Sequence, residues 1–177
     1  MYEPSEDSWL LQRVARRRSG EVAVDTCTGT GIIAHALMEG FDEVIGVDVD
    51  EESIAYAREQ CPGPDYRVGD TLRPVEKRVD LITCNPPYLP PEDLELVDRE
   101  LESSRAGVGF SMKLLDQAHR VLKPGGAVLF IASSRADLDS LKRHAIDTGW
   151  ELDVCDSEKH FFETLFVYEA TLRKHTA

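Results

Sequence analysis

Glu21-Val22-Ala23-Val24-Asp25, followed by Thr26-Cys27-Thr28-Gly29-Thr30-Gly31, reads as a short buried strand that ends in an acid and bends through two glycines into a helix. The same alternation continues along the chain. Apolar runs predict strands at Glu21–Asp25, Val44–Asp48, Tyr66–Gly69, Asp80–Cys84, Ala127–Ser133, Glu151–Cys155 and Leu165–Tyr168. Amphipathic spacing predicts helices at Glu6–Arg18, Gly31–Glu39, Glu51–Gln60, Phe110–Leu122 and Ala136–Thr148. Strand and helix in alternation mean βαβ crossovers, hence a seven-stranded, mostly parallel sheet with helices on both faces. The last two runs are separated only by Asp156–Thr164. That is too short for a helical crossover, so an antiparallel C-terminal hairpin is expected at one edge. No repeat, low-complexity tract or linker divides the chain, and residues 1–177 are expected to form one α/β domain, the usual unit being roughly 100–200 residues.

Composition restricts the function. The chain is 42% hydrophobic, enough for a core without disulfide or metal support. Cys27, Cys61, Cys84 and Cys155 form no C-x-x-C pair and suit a reducing cytoplasm. No apolar run approaches a membrane span, and Met1–Arg18 carries acids where a signal peptide would be basic. A soluble, cytoplasmic protein is the expectation. The formal net charge of −13 repels phosphate backbones, so nucleic acid is a disfavoured partner. Acid excess with few lysines fits a halophilic host, in which screening by salt removes the self-repulsion.

Open α/β sheets bind ligands outside the carboxyl ends of their strands. Those ends present Asp25 with its glycine loop, Asp48, Asp70 and Asn85-Pro86-Pro87-Tyr88. A phosphate site would show the opposite sign. Gly29 and Gly31 allow a tight bend and close backbone approach, as packing at many strand-to-helix turns also does. Asp48, at the end of the second strand, suits a pair of ribose hydroxyls, while Asp50 suits the N-cap of the next helix. Asp70 can accept from a purine amine, and Asp25 can receive an ammonium group. A ligand with a cationic amino acid part, a ribose and an adenine but no phosphate fits these acids; S-adenosylmethionine has that composition.

Asn85-Pro86-Pro87-Tyr88 is the most specific motif. One proline would end a strand; two remove backbone donors and leave carbonyl acceptors. Asn85 Oδ1 and the Pro86 carbonyl can together accept both hydrogens of a planar –NH2 group, with Tyr88 either packed over that plane or buried as a core tyrosine. The five histidines show no ligand spacing with one another or with the cysteines, and no metal is expected. Arg16-Arg17-Arg18 suits a helix C-terminus. The acidic stretch Glu92–Glu102 reads as a solvated face or, alternatively, as a loop near the cleft that meets a basic substrate.

The tetrad, the loop after the first strand, the opening Tyr2-Glu3-Pro4-Ser5-Glu6-Asp7-Ser8 and Leu122-Lys123-Pro124-Gly125-Gly126 together resemble the class I, Rossmann-like S-adenosylmethionine-dependent methyltransferases of the N-P-P-Y type. Within that group the chain is similar to the HemK-related archaeal and eukaryotic branch, which methylates the glutamine of the Gly-Gly-Gln motif in class 1 translation release factors. The resemblance covers roughly Tyr2–Glu169. It implies that Ser8, Asp25, Cys27, Gly29, Asp48, Asp70, Thr71 and Asn85 line the cofactor pocket, that Asn85, Pro86, Pro87 and Tyr88 hold the substrate amide, and that a small zinc-binding activator subunit pairs along the third-strand edge as a heterodimer. Two positions depart from the family pattern. Cys27 stands where relatives carry the first glycine of D-x-G-x-G-x-G, which either keeps the backbone away from positive φ or strains it. The segment Glu92–Gly109 lacks the Trp or Gly-Gly element that often follows the tetrad. Two other functions compete: methylation of an exocyclic base amine in DNA or RNA, which would want a basic groove, and a non-catalytic cofactor-binding scaffold, against which an intact tetrad argues.

Overall fold

The computed structural model describes residues 4–86 and 99–173, and the side chains of 99–107 are not among the described ones. Pro87 and Tyr88 lie outside the described residues. Among the described residues five helices and seven strands follow one another as α1 (Glu6–Ala15), β1 (Gly20–Thr26), α2 (Ile32–Leu37), β2 (Phe41–Asp48), α3 (Glu51–Gln60), β3 (Asp65–Val68), β4 (Val79–Cys84), α4 (Arg99–Val121), β5 (Leu122–Ser133), α5 (Leu138–Asp147), β6 (Trp150–Lys159) and β7 (Thr164–Leu172). The strands form one sheet in the order β3-β2-β1-β4-β5-β7-β6. β1 pairs in parallel with both β2 and β4, while β7 runs antiparallel to both β5 and β6. The chain therefore builds outward from β1 to β3, returns, and builds the other way from β4. Strand order reverses between β1 and β4, which is where such a sheet opens a crevice.

Side chains alternate between the faces of a strand, and two cores follow from that. Val22, Val24, Ile45, Val47, Ile82, Val128 and Phe130 join Leu114, Leu115 and Ala118 of α4 and Leu141 and Ala145 of α5. Their strand neighbours Ala23, Val44, Leu81, Leu129 and Ile131 face the other way, onto Leu10, Leu11 and Val14 of α1, Ile33 and Leu37 of α2 and Ile54 and Ala57 of α3. Each such leucine or isoleucine contributes about 1.5–3 kcal/mol on full burial. Asp50 caps α3, its carboxylate accepting from the backbone N–H groups of Glu52 and Ser53, the role expected from the sequence.

The expected hairpin forms across a four-residue turn, His160–Glu163, longer strands than expected having taken up the rest of the interval. Two other elements differ. β5 begins at Leu122, which pairs with Val79 before the register shifts between Val79 and Leu81. Pro124-Gly125-Gly126 is thus a bulged bend inside a strand, and a Cβ on Gly126 would come within 2.8 Å of the Asp80 carbonyl. α4 begins at Arg99, well before Phe110. Its early turns, Arg99–Arg105, are mostly charged and serine residues, so no apolar stripe marks them.

Candidate active site

A cavity of about 350 Å³ opens at the carboxyl ends of β1, β2 and β4. The loop after β1 supplies Cys27, Thr28 and Gly29, β2 ends in it at Asp48, and β4 leads into it at Asn85 and Pro86. Pro4, just ahead of α1, and Ser8 in its first turn add to it, and Ile32, Ile33, Val49 and Phe110 make apolar walls. Among the described residues no lysine, arginine or histidine lines it.

The loop is shaped by local hydrogen bonds. Thr28 N donates to the Val47 carbonyl at 3.0 Å and Gly31 N to the Thr28 carbonyl at 2.8 Å. Gly29 and Gly31 have φ of 51° and 82°. At Gly31 a side chain would also run into the Tyr66 hydroxyl and Ala57, so that glycine serves the close packing of loop against helix. Cys27 has φ of 55° and occupies the left-handed region in spite of its Cβ. Such a residue costs on the order of 1–2 kcal/mol, and its contact with the core in part offsets that.

The acids of the site are held by neutral donors. Asp48 Oδ2 accepts from Gly29 N at 2.9 Å and Oδ1 from Asp50 N at 3.0 Å. Asp25 is fully buried, its oxygens accepting from Thr28 Oγ1 at 2.6 Å and Thr83 Oγ1 at 2.7 Å. Burial pushes its carboxyl up to about 6, against the pull of these two hydroxyls and with a further push from the like charge of Asp48. Asn85 Nδ2 donates to Ser8 Oγ at 3.3 Å, and Asn85 Oδ1 is buried without a hydrogen-bond partner among the described residues. A buried amide oxygen left unpaired costs roughly 1–3 kcal/mol.

The structure thus brings Ser8, Cys27, Gly29, Asp48, Asn85 and Pro86 around one cavity. Asp25 lies beneath its floor, joined to it through Thr28. Asp70 and Thr71 are outside the lining. Asp70 follows Gly69, whose N–H donates to the Asp48 carbonyl at 2.8 Å. Its carboxylate receives Lys113 Nζ at 2.7 and 2.9 Å, and that hydrogen bond, with one from Thr71, holds it below the usual carboxylate range. Pro4, Thr28, Val49 and Phe110 were not singled out from sequence. Thr28 and Val49 adjoin residues that were, whereas nothing in the pattern of α4 marks Phe110 apart from core phenylalanines. Among the described residues no three His, Cys, Asp or Glu side chains converge as a metal ion would require.

The order of the strands and the edge on which the cavity opens make this an open, Rossmann-like α/β fold with its ligand site at the switch point. The family model described as "Methyltransferase domain" matches residues 17–161, and the chain belongs to that family. A relative from Methanocaldococcus jannaschii, provisionally named as a protein N5-glutamine methyltransferase, is 27% identical over 96% of this chain and 91% of its own length. The release factor glutamine methyltransferase of Streptomyces coelicolor is 35% identical over 60% of this chain, a match that spans 43% of that longer protein. Among solved structures, the E. cuniculi Mtq2-Trm112 complex, described as responsible for methylating the eRF1 translation termination factor, shares the fold with a TM-score of 0.76 at 19% identity, over 97% of this chain and 98% of the compared one.

Proposed function

We propose that this chain transfers a methyl group from S-adenosylmethionine to the side-chain amide nitrogen of the Gly-Gly-Gln glutamine in a class 1 translation release factor. The observation that carries this reading is Asn85 Oδ1, a buried acceptor without a partner among the described residues, on a residue that lines a cavity holding Asp48 and Asp50 and, among the described residues, no cation. Such a cavity fits a ligand that is cationic and lacks phosphate. The M. jannaschii relative, matched almost end to end, supports the glutamine as target.

S-adenosylmethionine supplies an electrophilic methyl group on a cationic sulfur. Asp48 is placed to exchange its backbone partners for ribose hydroxyls, and Val49 and Ile32 bound the same space. Asp25 contributes negative potential from below through Thr28. Asp70, outside the cavity lining and held by Lys113, serves the adenine end in this reading only by exchanging that partner, with Thr71 beside it.

The acceptor nitrogen is the difficult partner, because an amide lone pair is delocalised into its carbonyl. Asn85 Oδ1 and the Pro86 carbonyl hold the two N–H bonds of the –NH2 group, aim its nitrogen and favour the partly positive nitrogen that develops as it attacks. The N–C bond would form as the C–S bond breaks and leaves a neutral thioether, and the positive nitrogen, a strong acid, would then lose one proton to water, so that no titratable side chain is needed as base. Pro87 and Tyr88 complete the substrate clamp in this reading.

A small activator subunit belongs to the same proposal. β3 is an edge strand of the sheet, and Val68 and Val49, 45% and 67% exposed, lie at its end and beside it. An open edge with apolar neighbours suits strand addition by a partner.

The experiment is transfer of labelled methyl from S-adenosylmethionine to a class 1 release factor and to its Gly-Gly-Gln Gln→Ala variant, with and without RNA. Label on the wild-type factor alone is the expected result. Label on the variant, or on RNA in preference to the factor, contradicts the proposal.

A further inference from the structure

We infer that Asp7, a residue that touches neither substrate nor cofactor in the reading above, is a positioning residue that acts through Ser8 to keep the Asn85 carboxamide turned with Oδ1 toward the acceptor nitrogen. The inference rests on the proposed function only for its activity readout; the geometry stands apart from it.

A carboxamide has nearly the same shape when its oxygen and nitrogen are exchanged, so packing alone does not choose between the two orientations. Hydrogen bonds choose. The Ser8 side chain carries a single hydrogen. Its Oγ lies 3.3 Å from Asp7 Oδ1, an atom that only accepts, so the hydrogen goes to Asp7. Ser8 Oγ then has only lone pairs to offer Asn85, 3.3 Å away, and the group that faces it must be the –NH2. Oδ1 is left pointing elsewhere, buried and unpaired among the described residues.

Asp7 is itself fixed. It is 4% exposed in the first turn of α1 and takes the Ser8 backbone N–H at 2.6 Å and Ser5 Oγ at 2.8 Å on the same oxygen. The turn that carries Asp7 therefore also sets the position of Ser8. Without the carboxylate, the Ser8 hydrogen is free to be donated to Asn85. The carboxamide can then turn over, consuming Oδ1 and presenting Nδ2 to the acceptor, where donor would face donor.

The test compares Asp7→Ala and Asp7→Asn with the wild-type protein, measuring kcat, KM for the release factor, Kd for S-adenosylmethionine and thermal midpoint. Asp7→Ala is expected to lower kcat roughly tenfold, the factor one net hydrogen bond is worth, with Kd for the cofactor within about threefold of wild type. Asp7→Asn keeps an accepting oxygen and is expected to recover most of the lost rate. A merely structural role for Asp7 would lower the thermal midpoint and leave kcat of the folded protein alone. Wild-type kcat in Asp7→Ala, a kcat loss that Asp7→Asn does not recover, or a loss matched by weakened cofactor binding would each overturn the inference. Should Asp7→Ala fail to fold, nuclear Overhauser contacts in the wild-type protein decide. Contacts from the Asn85 Nδ2 protons to Ser8 support the inference, and their absence overturns it. Those contacts require no turnover, so a wild-type protein inactive on release factor would sink the proposed function and leave this question answerable.

Discussion

A hollow opens at each end of the sheet, and the two handle negative charge in different ways. At the amino ends of the parallel strands a hollow of about 280 Å³ is lined by Arg18, Asp80 and Glu169 among others. Here acids meet cations: Arg18 grips Glu169 with bonds of 2.8 and 3.0 Å, and Lys123 reaches Glu21 at 2.7 Å and Asp80 at 3.1 Å. At the carboxyl ends, Asp25 and Asp48 meet hydroxyls and backbone N–H groups instead. Cations neutralise the acids at the amino end, whereas Asp25 and Asp48 at the cavity have no cation on them, although Asp70, beyond the end of the neighbouring β3, is paired with Lys113. Paired charges of this kind lock local structure, whereas acids held by neutral donors retain a field for an incoming cation.

Removing the unpaired acceptor should have the largest effect. Asn85→Ala is expected to lower methyl transfer by about 10² to 10³, the loss seen when one preorganised group facing a developing charge is deleted, while calorimetry shows the cofactor still bound. Near-wild-type turnover would mean that the unpaired oxygen at the carboxyl end has no chemical role.

The buried acid gives the next effect. Asp25 is raised in the folded protein to about 6, above the ordinary 3.8. The folded state therefore binds more protons than the unfolded one between those values. The associated stability is fully present below 3.8 and is lost as pH rises through about 6, a change on the order of 2–3 kcal/mol. In Asp25→Asn this component of the pH dependence should vanish from denaturant melts recorded across that range. An unchanged profile would show that Asp25 is not the group that titrates.

A matched pair of substitutions sharpens the contrast further. Asp48→Ala should weaken binding of S-adenosylmethionine by roughly 1–3 kcal/mol, the cost of stranding hydrogen-bonding groups. Glu169→Gln, at the other end, should leave that affinity alone and change stability by at most about 1 kcal/mol, as partly exposed ion pairs do. Equal effects on affinity would erase the distinction between the two hollows.

Much of this arrangement is legible in the chain. Val22-Ala23-Val24 and Val44-Ile45 feed opposite faces of a sheet covered on both sides, so continuous apolar runs bounded by turns locate the strands. The rule that chemistry sits beyond strand ends picks out Asp48 and Asn85 from position alone. What is illegible depends on partners distant in sequence. Lys113 is 43 residues from the Asp70 it holds, and Thr83 is 58 residues from Asp25. Asp25 therefore reads as a mouth residue although the structure buries it. The expected fifth strand starts only at Ala127, after Pro124-Gly125-Gly126; pairing with β4 on either side makes those residues a bulge within the strand. Ser8 has no strand-end signal, being on a helix; family resemblance implies only that it lines the cofactor pocket, and its bond to Asn85 is visible only in the structure.

The central claim concerns one oxygen, and a structure of the protein with S-adenosylhomocysteine and a Gly-Gly-Gln peptide tests it directly. The account predicts Asn85 Oδ1 about 2.9 Å from the glutamine carboxamide nitrogen, with Asn85 Nδ2 still on Ser8. A carboxamide turned the other way, or a glutamine held by different groups, would contradict it.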